Sequence, residues 1–204
     1  RAALLRFTAS GGKADVFASG LRNAVGLAVH PVTGQIWASE NGRDNLGDDL
    51  PPDEINVLQA GAFYGWPYWY GENQPDPAFS DTARQRVLQE IGGEPVPAKV
   101  LLPAHSAPLG LAFYDGDLLV ALHGSWNRSR PTGYKVVRVR LGGPQRDQVE
   151  GVEDWLWGWL PDDSRRGGAA WGRPVGLAVA SDGTVYLTDD KLGVIYRIVA
   201  NQPG

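Results

Sequence analysis

Apolar residues along this chain fall in short runs bounded by clusters of Gly, Pro, Asp and Ser. Runs with the i, i+3, i+4, i+7 spacing of a buried helix face are scarce. β-Branched and aromatic runs between turn residues are common, and that pattern predicts strands. One polar stretch, Asp81–Ile91, has helical spacing and reads as a surface insertion.

The strand pattern repeats. Arg22-Asn23-Ala24-Val25-Gly26-Leu27-Ala28-Val29, Ala107-Pro108-Leu109-Gly110-Leu111-Ala112-Phe113 and Arg173-Pro174-Val175-Gly176-Leu177-Ala178-Val179 share a Gly-Leu-Ala centre. Each is followed by a turn (His30–Gly34, Tyr114–Gly116, Ser181–Gly183). A second strand comes next (Gln35–Ser39, Asp117–Leu122, Thr184–Thr188), then a third (Glu54–Leu58, Tyr134–Leu141, Gly193–Val199). The copies are further apart than the roughly 40–50 residues of compact propeller blades. The excess falls in inserts around 43–53, 62–97 and 123–133. Small residues suit strands crowded near a propeller axis, and Asp-Gly suits a tight hairpin turn. The expectation is an all-β fold, a β-propeller with about three blades of a six-bladed architecture; an ordinary β-sandwich is the competing reading. Residues 1–204 are expected to form one domain, with the N-terminal half of the ring absent. Ala2–Phe7 and Ala14–Phe17 read as the end of a preceding blade, and Ala98–Leu102 and Val152–Trp159 as outer strands. Three blades leave open edges. The reading therefore expects either a missing N-terminal half or a second copy, a homodimer in which Ala14–Phe17 completes the partner's last blade.

Composition narrows the chemistry. Lys+Arg number 19 against 23 Asp+Glu, a net charge of −4, which argues against a nucleic-acid-binding face. There is no Cys, so disulfides, thiolate metal sites and a cysteine nucleophile are excluded. No apolar stretch approaches the roughly 18 residues of a membrane span. There is no Met either, so the natural chain is expected to continue upstream of Arg1.

Three clusters carry candidate chemistry. Residues 39–54 hold five acids between Asp44 and Glu54 in a Gly-containing loop. Such a loop offers the six to eight oxygens that calcium takes, although its spacing is not that of an EF-hand; the alternative is a solvated loop in which Asp53 or Glu54 caps a strand. Residues 61–71 carry six aromatics in the eight positions 63–70, and packing under a long loop is favoured over a sugar-stacking platform. His123-Gly124-Ser125-Trp126-Asn127-Arg128-Ser129-Arg130 follows a second strand and makes either a cationic rim for carboxylates or a loop salt-bridged to acidic segments. Arg22 and Arg173 stand at nearly the same repeat position, just before the innermost strand, four and three residues ahead of its glycine. Converging on the axis, they would suit an anionic cofactor; as structural residues they would need acidic partners.

In order, Arg22-Asn23…Gly26-Leu27, Glu40-Asn41-Gly42, Asp53-Glu54-Ile55-Asn56 and Tyr64-Gly65-Trp66-Pro67 resemble the glucose/sorbosone dehydrogenase family. These are six-bladed propellers that use pyrroloquinoline quinone (PQQ) and calcium. His123–Arg128 and Gly172–Ala178 are similar to the sorbosone-type branch. The likeness covers nearly the whole chain but only about the C-terminal half of a family member.

The resemblance implies that Arg22 and Asn23 contact the quinone or its carboxylates. It implies that Arg173 binds a PQQ carboxylate and that Gly42 and Arg43 give backbone carbonyls to Ca²⁺. Where the glucose-oxidising branch has a Lys, this chain has His123 and an insert, with Trp126, Asn127 or Arg128 as candidate replacements. The family's general base is a His upstream of Arg1. No residue here matches it, so no catalytic residue is assigned, and neither His105 nor His123 takes that role. The implied activity is oxidation of a sugar or polyol hydroxyl, or of an aldehyde hydrate, by hydride transfer to PQQ, in a periplasmic or secreted enzyme. A calcium-centred propeller hydrolase such as a lactonase would need carboxylates rather than Arg at the axis. A non-catalytic propeller segment binding sugar or protein is the other alternative.

Overall fold

A computed structural model of the chain describes residues 2–161 and 169–199. In chain order the elements are β1 (Ala3–Arg6), β2 (Asp15–Ser19), β3 (Ala24–Val29), β4 (Ile36–Glu40), β5 (Asp53–Leu58), β6 (Trp69–Tyr70), β7 (Gln74–Pro75) and α1 (Asp81–Ile91). They continue with β8 (Val100–Leu102), β9 (Pro108–Tyr114), β10 (Asp117–Leu122), β11 (Lys135–Gly142), β12 (Gln148–Leu156), β13 (Pro174–Val179), β14 (Val185–Asp189) and β15 (Val194–Ile198). All pairing within the sheets is antiparallel.

Four of the sheets follow one another in chain order in the manner of blades: β1-β2, then β3-β4-β5-β8, then β9-β10-β11-β12, then β13-β14-β15. The three Gly-Leu-Ala strands are the innermost strands β3, β9 and β13, and β3 and β13 each lie beside β9. Their glycines have a steric reason. A Cβ on Gly26 would sit 2.0 Å from the carbonyl oxygen of Leu109, and one on Gly110 would sit 2.5 Å from that of Val175. A bulge recurs at this point: Gly26 N donates to Ser39 Oγ (2.8 Å) and Gly176 N to Thr188 Oγ1 (2.8 Å). Ser39 Oγ in turn donates to Leu109 O across the blade boundary (2.7 Å).

Period-two alternation explains the core, because successive side chains on a strand face opposite sides of its sheet. In β10, Leu118, Val120 and Leu122 join Trp37, Ile55 and Val100 between the second and third blades. Leu119 and Ala121 join Val136, Val185 and Leu187 between the third and fourth. All six residues of β10 are buried. A third cluster, Ala18, Leu21, Ala38, Leu58 and Tyr64, closes the first blade onto the second.

The outer strand expected over Val152–Trp159 forms instead over Gln148–Leu156. The bulged register against β11 lets the turn at 143–147 start the strand earlier. Trp159 leaves the sheet to pack in the core near Tyr196, whose hydroxyl accepts its indole N–H (3.0 Å). The helix expected over Asp81–Ile91 has those bounds. Ser80 caps it by accepting from Ala83 N, Gly92 ends it at φ 70°, and none of its residues is buried.

His30, in the β3–β4 turn, is buried. Its Nδ1 accepts from Val32 N (3.1 Å) and Thr33 N (3.2 Å), so Nε2 donates to Arg146 O in the next blade (2.7 Å). Its ring also meets Phe113 edge-on at 4.7 Å. His30→Ala leaves these backbone groups without partners and is expected to cost about 2–4 kcal/mol in urea unfolding.

Candidate functional site

The strand register puts one set of chain segments at the same end of every blade. Ala24 pairs with Glu40 and Glu40 with Glu54; Leu122 pairs with both Pro108 and Lys135; Pro174 pairs with Asp189. The residues flanking these ends, 20–23, 40–54, 103–107, 123–134, 172–173 and 189–193, therefore form one face.

Two clefts open on that face. One, of about 210 Å³, is bordered by Arg22, Asn23, Gly42, Asp44, His105 and Trp126, among others. The second, of about 540 Å³, is bordered by His123, Tyr134, Trp126, Arg173, Asp190 and Lys191. Trp126 belongs to both and is 78% exposed, so an aromatic surface stands between them.

The two arginines differ in what they do. Arg22 donates to Asn41 O (3.1 Å), lies 4.0 Å from Asp44 and stands 5.8 Å above Trp66. Arg173 reaches back into the preceding blade, donating to the carbonyls of His123 (3.1 Å) and Gly124, with its guanidinium 5.5 Å above Tyr134. Among the described residues no carboxylate lies within ion-pair distance of Arg173. Its guanidinium borders the larger cleft, whose described lining also includes Asp190.

The acidic loop is held from several sides. Asp53, in β5, accepts from Gly42 N (2.8 Å), Ala107 N (2.8 Å) and Ser106 Oγ (3.1 Å). Burial nevertheless raises its pKa. Asp53 and Glu54 are buried rather than solvated, and Asp53 holds the backbone N–H of Ala107 just ahead of β9. Glu54 accepts from Gly71 N (2.5 Å) and Asn56 Nδ2 (3.1 Å), and burial raises its pKa as well. Glu40 accepts from Asn23 N (2.6 Å) through Oε1, while its Oε2 is buried without a partner. Burial, assisted by the negative charge of Glu54, pushes Glu40 up to about 7.

Arg43 spends its side chain on Asp76 in a two-pronged ion pair (2.6 and 3.0 Å). Burial raises Asp76, but the Arg43 fork, the Ala78 N–H and the charge of Arg84 together outweigh it and leave the carboxyl below its usual range. What remains of Gly42 and Arg43 for a ligand is their carbonyl oxygens, which accept no hydrogen bond among the described residues. Oxygen donors suit a hard cation. The described residues hold no group of three His, Asp or Glu side chains able to form a metal cage. Calcium on these carbonyls would thus need further oxygens from a bound ligand and water.

The insert after β10 lies over the acidic loop. Asn127 Nδ2 donates to Asp44 (2.7 Å), Arg128 pairs with Asp49 (2.5 Å) and Ser129 donates to Asp48. Arg128 and Asn127 are therefore engaged with acids, which is the salt-bridged-loop alternative for those two positions, while Trp126, His123 and also Asn127 border the clefts. The aromatic run packs as expected. Tyr64 and Trp69 are buried, Tyr64 Oη donates to Val57 O (2.7 Å), and Trp66 lies beneath Arg22. Sequence reasoning missed Tyr134, Asp44 as a hub, and Asp190. The last has a signal: Asn41, His123 and Asp190 each stand just past the end of a second strand.

Residues 3–201 match the TrAA12-like family. The chain belongs to that family. This TrAA12-like chain is 38% identical over 91% of its length to an uncharacterized protein of Borreliella burgdorferi, covering 49% of it. It is 30% identical over 90% of its length to the pyrroloquinoline quinone-dependent pyranose dehydrogenase of Coprinopsis cinerea, covering 31%. The holo form of the pyranose dehydrogenase PQQ domain from that organism superposes with a TM-score of 0.66 at 27% identity, over 90% of this chain and 55% of that one. A calcium structure of the Trichoderma reesei family AA12 enzyme superposes with a TM-score of 0.71 at 26% identity, over 89% and 53%. The chain thus spans about half the length of these relatives or less. No described helix is long and apolar enough to cross a membrane.

Proposed function

We propose that this chain is the cofactor-holding part of a PQQ- and Ca²⁺-dependent dehydrogenase that oxidises a sugar or polyol hydroxyl, or an aldehyde hydrate. The observation that carries the reading is the guanidinium of Arg173 in the larger cleft, paired with no carboxylate among the described residues, with Arg22 on the smaller cleft and Trp126 between. Buried or half-buried Arg without a carboxylate is a receptor for planar anions, and PQQ is a tricarboxylate. The family supports the same reading through its PQQ-dependent and calcium-bound members.

In this arrangement Arg173 and Arg22 hold carboxylates, Asn23 and His123 border the ligand, and Trp126 offers a flat apolar surface to its ring. The carbonyls of Gly42 and Arg43 hold calcium together with oxygens of the ligand. When bound, the quinone supplies the hydride acceptor and calcium polarises its oxygens. The chain's own contribution is orientation: the contacts to His123 O and Gly124 O fix the Arg173 fork before any ligand arrives, so little freedom is lost on binding. A complete ring of about six blades, closed by the rest of a longer chain or by a second copy, and a periplasmic or secreted location belong to the same reading. The calcium-centred hydrolase is less favoured, because the face presents arginines and no three-carboxylate cage among the described residues.

Titrating PQQ with Ca²⁺ into the protein and following tryptophan fluorescence tests this. Saturable binding is expected, weakened at least about tenfold by Arg173→Ala, roughly one lost charge-assisted contact. Dye reduction with aldoses by the full-length protein reads the activity. Absence of PQQ binding, or binding indifferent to Arg173→Ala, rejects the proposal.

A further inference from the structure

Asp190 has no role in the reading above. It follows β14 in the last described blade and faces His123 across the seam to the preceding one. His123 Nε2 lies 2.9 and 3.1 Å from its two carboxylate oxygens. The backbone of His123 is fixed independently: its N–H donates to Ala107 O (2.9 Å) and its carbonyl accepts from Arg173 Nε (3.1 Å). The side chain is mostly covered, whereas Asp190 is largely exposed. His123 Nδ1 has no hydrogen-bond partner among the described residues, and His123 borders the 540 Å³ cleft together with Arg173, Tyr134, Trp126 and Lys191.

An ionised carboxylate only accepts, so the shared hydrogen belongs to Nε2. In the neutral ring Nδ1 is then a lone-pair acceptor. We infer that Asp190 is a positioning residue that locks His123 in the Nε2–H tautomer, so that Nδ1 accepts a hydrogen bond from a hydroxyl of a polyol or sugar held in this cleft. The tautomer stands on the geometry alone; the identity of the ligand rests on the cofactor reading of the cleft. The arrangement resembles the carboxylate–imidazole pairs in which one ring nitrogen is tied down so that the other is aimed.

The chain has only three histidines, His30, His105 and His123. Histidine-selective ¹⁵N labelling therefore gives three imidazoles, and long-range ¹H–¹⁵N correlations report the tautomer of each. At a pH that leaves the imidazoles neutral, the wild-type protein is expected to show His123 as the Nε2–H tautomer and not the Nδ1–H one. Asp190→Ala should give a mixture at His123 and leave His30 unchanged, and Asp190→Glu should restore the single form. An Nδ1–H His123 in the wild type, or an unchanged tautomer ratio in Asp190→Ala, overturns the positioning role.

D-Glucose added with PQQ and Ca²⁺ should move the His123 Nδ1 resonance, by less in Asp190→Ala than in the wild type. A PQQ-bound protein whose Nδ1 does not respond to glucose overturns the hydroxyl contact. Failure of PQQ to bind sinks the cofactor reading, and the tautomer result still decides the role of Asp190.

Discussion

Gly26→Ala and Gly110→Ala are each expected to lower the unfolding free energy by about 3 kcal/mol or more, the upper part of the overpacking range, seen as a fall in the urea midpoint at unchanged slope. In both cases the new methyl meets the backbone of the neighbouring blade's innermost strand: Leu109 O at 2.0 Å, and Val175 O at 2.5 Å with Gly176 Cα at 2.9 Å. A backbone carbonyl cannot swing away as a side chain can. Relief requires the blades to part, which opens the core cluster of Trp37, Ile55, Leu118 and Val120 on one side or of Leu119, Val185 and Leu187 on the other. Gly176→Ala is the internal comparison. Its nearest obstacle is Thr188 Oγ1 at 3.0 Å, a side-chain atom rather than backbone. In this chain that substitution should cost under about 1 kcal/mol. Equal midpoint shifts for Gly26→Ala and Gly176→Ala would show that blade-to-blade approach is not the reason for the repeated glycine.

Stability is expected to fall by about 3 kcal/mol from pH 4.5 to above pH 7 through Glu40 alone. Its ordinary value of 4.5 is raised to about 7 in the folded protein, chiefly by burial. A raised pKa means that the folded state holds the proton more tightly than the unfolded chain. The benefit is complete below about pH 4.5, declines as the unfolded chain ionises, and is gone above about pH 7. Asp53 and Glu54 are raised for the same reason and steepen the fall in the same direction. Glu40→Gln removes the Glu40 contribution, because its amide oxygen can still accept from Asn23 N and no charge has to be buried. The variant should match the wild type near pH 4.5 and exceed it at pH 8, by up to about 3 kcal/mol. Urea midpoints across this range check the sign, and a wild-type stability that rises from pH 5 to 8 would refute the account.

Much of the architecture was readable because it rests on local chemistry. The Gly-Leu-Ala copies, the Asp-Gly turns and the polar Asp81–Ile91 stretch each mapped onto the element they predicted. Crowding at the axis was anticipated, though it is Gly26 and Gly110, rather than the alanines beside them, that meet the neighbouring backbone. The outer strand over Gln148–Leu156 was misplaced because an outer strand of mixed polarity has no sharp alternation to mark its ends, and the bulges that set its register depend on β11.

At the site, Arg22 and Arg173 could be paired from the repeat, and both do border the clefts. The difference between them could not be seen. Arg22 has Asp44 near it, whereas Arg173 is tied to two carbonyls that come from the preceding blade through the chain direction after β10. Likewise the sequence admits Arg128 either in a cationic rim or paired with an acidic segment, and its partner Asp49 becomes visible only once the two inserts are brought together in space. Pairings between inserts carry no periodic signal, since neither loop has a repeat partner with the same residues.

The strand Asp117–Leu122 lends one set of side chains to each of two adjacent hydrophobic seams. Loosening it on either side therefore exposes apolar surface on both, so the second, third and fourth blades should melt as one cooperative unit rather than peel away singly. Amide exchange from β4, β10 and β14 should then proceed through a shared opening event, and substitutions at Val120 and Leu119, though aimed at opposite seams, should show non-additive losses.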